Sequence, residues 1–113
     1  MNPQACHRIQ SEEIQRRAEE QKRKDGEIDK LVPKEFEKLK QYIAGPDFVR
    51  DIRTYPYSKE VIYGERVMDT NINQNSCNVY RRMAAAHPEY NGFKFNYFVV
   101  GEYPRCGVRI SWK

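Results

Sequence analysis

The residues best suited to chemistry in this sequence are cations set beside flat rings. Arg81, Arg82, Lys94, Arg105, Arg109 and Lys113 lie between Cys77 and Lys113, and only Glu89 and Glu102 oppose them. Interleaved with them are Tyr80, Tyr90, Phe93, Phe95, Tyr97, Phe98, Tyr103 and Trp112. Cationic groups neutralise phosphates and ring faces stack on bases, so this mixture suits a nucleic-acid surface. Alternation sends Phe93, Phe95, Tyr97 and Val99 to one side of a strand, and Lys94, Asn96, Phe98 and Val100 to the other. In the returning strand Val108, Ile110 and Trp112 oppose Arg109, Ser111 and Lys113. On this reading Phe98 is a stacking platform among Lys94, Arg109 and Lys113. Arg81 and Arg82 sit on a flanking helix and Arg105 in the connecting loop. The same residues also make an ordinary β core with a solvated outer face. The pattern of an RNA-recognition sheet is missing.

Other constellations fail on spacing. Asp69, Asn71, Asn73 and Asn75 resemble the opening of a calcium loop. However, Gln74 stands where that loop needs glycine, and Tyr80 where it needs a bidentate glutamate. Helix capping is the better use of these side chains. Cys6, His7, Cys77, His87 and Cys106 include no two cysteines two to four residues apart, so no zinc knuckle is expected. Neither histidine lies in a nucleophile motif, and no glycine-rich phosphate loop is present. The reading is therefore a non-enzymatic chain with no cofactor and no metal.

These side chains must be carried by a small set of elements. Residues 8–31 read as a polar helix or disordered arm. Ser11 can cap it, and Ile9, Ile14, Ile28 and Leu31 form only a thin apolar seam. Pro33 opens a better helix with Phe36, Leu39 and Ile43 on one side, ended by Gly45-Pro46. Phe48, Val49 and Ile52 suit one helical turn. Residues 57–63 alternate as a strand, Gly64-Glu65 is a turn, and Arg66-Val67-Met68 is a short strand. Residues 69–76 read as an Asx-rich loop and Cys77–Ala86 as a helix stopped by His87-Pro88. Asn91-Gly92 turns into a strand from Phe93 to Val100. A loop from Gly101 to Gly107 leads to the returning strand Val108–Trp112.

The expected class is α+β: a small antiparallel sheet packed with two helices, preceded by a polar helical N-terminal extension. The expected division is a charged helical or partly disordered extension at 1–32 and a compact domain at 33–113. The expected core is Phe36, Leu39, Ile43, Val79, Met83, Phe93, Phe95, Tyr97, Val108, Ile110 and Trp112.

Composition bounds the rest. A chain of 113 residues, 32% charged and 39% hydrophobic, is one polar domain. The net charge of +4 divides as +1 over residues 1–44 (ten cations, nine anions) and +3 over 45–113 (ten and seven). No apolar run approaches the roughly 18 residues of a membrane span, and the first residues hold no hydrophobic signal core. Three cysteines cannot all pair within one chain, so free thiols in a reducing compartment, cytoplasmic or nuclear, are expected. The leading functional reading is an interaction protein, an accessory or structural subunit of a larger assembly. It would bind a protein partner, or itself, through Ile9, Ile14, Ile28 and Leu31. The alternative is nucleic-acid binding through Arg81, Arg82, Lys94, Phe98, Arg105, Arg109 and Lys113.

Overall fold

A single helix, α1 (Pro3–Ala44), supplies more than a third of the chain in the computed structural model, which describes residues 1–102 and 104–112. Its start is built locally. The Asn2 side chain accepts a hydrogen bond from the Ala5 N–H at 2.8 Å, and Pro3 occupies the first turn, where its missing N–H costs nothing. Charge pairs at i,i+3 and i,i+4 then lace the polar half: Glu13 with Arg16 and Arg17, Glu20 with Arg16 and Lys24, Arg23 with Glu27. Hydrogen bonds from Arg16 and Arg17 pull the Glu13 carboxyl down to about 2.

The expected boundary at residues 32 and 33 falls inside this uninterrupted helix. Pro33 forfeits a backbone hydrogen bond and would break an isolated helix at a cost of about 3 kcal/mol. Tertiary packing overrides it here. Val32 is buried on one side of Pro33, Leu39 is buried beyond it, and Ile28 and Phe36 pack on the same cluster. Val32 and Ile28 thus pack on the same cluster as the residues after Pro33.

After Gly45 comes a short helix, α2 (Pro46–Thr54), and then strand β1 (Glu60–Val67). The expected turn at Gly64-Glu65 is instead a bulge within β1, where the register to the last strand slips between Tyr63 and Arg66. Helix α3 (Asn71–Ala86) starts six residues before Cys77. The Thr70 hydroxyl accepts from the Asn73 N–H at 3.1 Å, so the capping residue lies before the asparagines, which become helix surface. Strands β2 (Glu89–Tyr90), β3 (Phe93–Val100) and β4 (Arg105–Ser111) complete one antiparallel sheet in the order β1-β4-β3-β2.

Helices α1 and α3 cover one face of this sheet. The buried cluster joins Val32 and Leu39 of α1, Phe48 of α2, Cys77, Val79, Tyr80, Met83 and Ala84 of α3, and Val61, Phe95, Cys106, Val108 and Ile110 of the strands. Every expected core residue belongs to it, with Phe36, Ile43, Phe93, Tyr97 and Trp112 packed at its margin. Val99, expected inward, is 49% exposed: it lies opposite the buried Cys106 but on the part of β3 that β2 leaves as a sheet edge.

One sequence expectation is corrected outright. Cys77 and Cys106 are not free thiols. They form a disulfide between α3 and β4 with Cα atoms 5.9 Å apart, and only Cys6 is free. A three-cysteine count excludes complete pairing, not partial pairing, and a sequence separation of 29 matches no recognisable spacing. The thiol argument for a reducing compartment falls with it. Among the described residues no helix is long and apolar enough to cross a membrane.

Candidate functional site: the projecting helix and its root

The long dimension of the molecule, 69 Å against 30 and 22 Å, is set by α1, which at 1.5 Å per residue spans about 63 Å. No residue before Val32 is buried. Two anchors fix where the free part begins. Arg82 of α3 donates to the Asp25 and Asp29 carboxylates at 2.7 and 2.6 Å, and to the Asp25 carbonyl at 3.0 Å. The hydrogen bond from Arg82 holds the Asp25 carboxyl below its ordinary range, and the two carboxylates raise the guanidinium in turn. Residues 3–24 extend beyond this clamp.

The four apolar residues expected to form a partner seam fall on two lines, not one. Ile14 precedes Val32 by 18 residues, about five turns, so it continues the core stripe beyond the core. It is 69% exposed. Ile28 shares that stripe and packs on the buried cluster, so it serves the domain itself. Ile9 and Leu31 are separated by about six turns and share a different line, on which Glu13, Glu20, Lys24 and Glu27 intervene. Both are exposed.

At the root of the projection lies a groove of about 560 Å³ between α1 and α3. Gln21, Lys24, Glu27 and Leu31 line one wall, and Asn71, Gln74, Asn75 and Asn78 the other. A neighbouring hollow of about 380 Å³ adds Ile72, Lys34 and Lys38. Sequence reading missed this amide wall because it placed residues 69–76 in a loop. The signal was present: positions 71, 74, 75 and 78 fall on one helix face once the segment is read as helical.

The basic and aromatic residues are not brought to one surface. Register places Lys94, Arg105 and Arg109 on the sheet face away from the helices. Arg81 and Arg82 ride on α3, on the covered side, and Arg82 is already committed to two carboxylates. Arg105 contacts Glu65 at 3.3 Å. Glu60, Glu65 and Glu89 lie among Lys94, Arg105 and Arg109, so these six carry no net charge. Phe98 is 9% exposed and stands outside the main core cluster. Its ring lies over Gly107, where an added Cβ would come within 2.9 Å of it, and Arg109 covers it at 4.7 Å. An indole or base would have to displace that guanidinium to stack. Lys113 lies outside the described residues.

Polar ties hold the helices against the sheet and α1 against α2. The Tyr63 hydroxyl donates to Glu35 at 2.8 Å, Tyr42 donates to Asp51, and Arg66 donates to the Tyr80 hydroxyl at 3.1 Å. Burial, reinforced by these carboxylates, pushes the Tyr42 and Tyr63 hydroxyls well above the ordinary tyrosine range. His87 stacks on Phe36 at 3.9 Å and caps α3, a packing role. Comparison with known proteins finds no matching family model, no matching curated protein and no matching solved structure.

Proposed function

We propose that this chain is a non-catalytic interaction protein, an accessory or structural subunit whose projecting helix engages a protein partner. One observation carries the reading: the line of α1 that docks Ile28, Val32 and Leu39 runs on through Asp25, Gln21 and Ala18 to Ile14, which is exposed and on which no described residue of the core cluster packs. A helix this polar is marginal in isolation. Here the clamp at Asp25 and Asp29 and the ladder of ion pairs present residues 3–24 as an ordered arm. A partner helix seated along Ile14 and Ala18 would reach the groove lined by Gln21, Leu31 and Asn78, whose amides can pair with its polar edge.

The test is Ile14→Asp in the full chain. Ile14 supports no core contact, so the thermal midpoint should hold. Affinity capture from the source cell, read by mass spectrometry, should show loss of one defined partner. If the mutant keeps every assembly formed by the parent chain, the projecting helix is not the interaction element.

A further inference from the structure

We infer that the free edge of β3 is a self-pairing strand, and that two copies of this chain join through residues 96–100 into one continuous sheet. The inference is independent of the projecting helix and uses a different surface.

Strand β2 covers β3 only at Phe93 and Lys94. The Phe95 N–H donates to the Pro88 carbonyl at 2.9 Å, so it points away from β4. In an antiparallel ladder a residue's N–H and C=O point to the same side, and the side alternates along the strand. The N–H and C=O of Tyr97 and Val99 therefore face outward as well, with no described strand beside them. Main-chain groups in such a row are a template for another strand.

The two long edges of the sheet are treated differently. On the β1 edge, Gly64 and Glu65 form a bulge, and Glu60, Glu65 and Arg66 add charge. Bulges and charges are the devices that discourage edge pairing. From Phe95 to Val100 the β3 edge has no charge, no proline and no bulge. Val99 and Val100 are exposed at 49% and 47%.

The pattern around Phe98 specifies a second copy as the occupant. Lys94 stands four residues before Phe98 and Glu102 four after, with no other charge between them. In an antiparallel pair related by a twofold axis at Phe98, Tyr97 meets Val99 of the second copy, and their outward groups exchange two hydrogen bonds. The symmetric pair repeats this, giving four. Asn96 meets Val100, and Phe98 lies beside its own copy on the uncovered face. The ladder cannot run further, because Glu89 of β2 already occupies the place beside Lys94. A register centred on Tyr97 would instead align Val99 with Phe95, whose outward N–H Pro88 already occupies. Centring on Phe98 matches Tyr97 and Val99, the two residues whose main-chain groups face outward, with each other and stops where Gly101, at φ +95, turns the chain away.

The test uses the full chain. Sedimentation equilibrium of the parent protein should show a concentration-dependent dimer. Val99→Pro removes an N–H that faces outward, so it should leave the circular dichroism spectrum unchanged while weakening dimerisation at least tenfold. Val99→Lys, which leaves the backbone intact and adds charge at the edge, should do the same. Ile14→Asp should leave the dimer constant unchanged. Amide exchange at Tyr97 and Val99 should slow as protein concentration rises, with little change along β1. A parent chain that stays monomeric at every accessible concentration overturns the inference. So does a dimer that survives both Val99 substitutions, or one that Ile14→Asp dissolves.

Discussion

Loss of the Cys77–Cys106 bond should be the largest single destabilisation that leaves the chain's packing chemistry unaltered. Both half-cystines are 0% exposed and link α3 to β4 across 29 residues. Closing a loop of that length in the unfolded chain lowers its entropy enough to stabilise the native state by about 3.6 kcal/mol on the chain-entropy model. Unfolding entropy of about 2.1 cal/mol/K per residue over 113 residues amounts to about 0.24 kcal/mol/K. Dividing the first by the second gives a fall in thermal midpoint of about 15 °C. The assay is calorimetry of the oxidised protein beside protein unfolded, reduced and refolded in reductant, since a buried bond resists reduction in place. Thiol titration in denaturant without reductant should count one group, Cys6, and with reductant three. Three thiols before reduction would refute the crosslink. A midpoint shift below about 5 °C would show that the crosslink adds little to the constraint already imposed by packing.

Four further outcomes are expected. Phe95→Ala, at a buried position, should cost about 3 to 5 kcal/mol by denaturant titration, and an unchanged transition would contradict its place in the core. Gly64→Ala should cost about 2 to 4 kcal/mol, because a left-handed backbone and contact with the Tyr80 ring at 2.7 Å both oppose a methyl group. Gly92→Ala, also left-handed but facing open space, should cost only about 1 to 2 kcal/mol, so equal losses at the two glycines would remove the steric argument. Stability should also fall at alkaline pH. The raised Tyr63 hydroxyl means the protonated form is favoured in the fold, so its contribution is fully present below the ordinary tyrosine value of about 10. It is lost as pH rises through the higher folded value. Thermal midpoints measured against pH should fall less steeply for Tyr63→Phe, and coincident curves would show that neither burial nor Glu35 holds that proton.

Local pattern determined much of this molecule. The α+β class, the helical stripe of Phe36, Leu39 and Ile43, the stop at Gly45-Pro46 and the β3 strand with its apolar inner row all follow from periodicity and turn chemistry, which act over a few residues. The misread start of α3 was a local signal overlooked; the other failures share one cause, a partner distant in sequence. Pro33 reads as a helix start, yet Val32 and Phe36 dock on the core and carry the helix through it. Gly64 reads as a turn, yet β4 lies alongside and makes it a bulge. Arg82 reads as a free cation, yet its carboxylates lie 57 and 53 residues earlier in the chain. Phe98 reads as an exposed ring, yet Gly107, nine residues on, leaves the space into which it folds under Arg109. Periodicity assigned Phe98 to its side of the sheet, but only the register between β3 and β4 decided what would cover it. Pairing across strands and helices joins groups whose separation along the chain leaves no trace in local spacing.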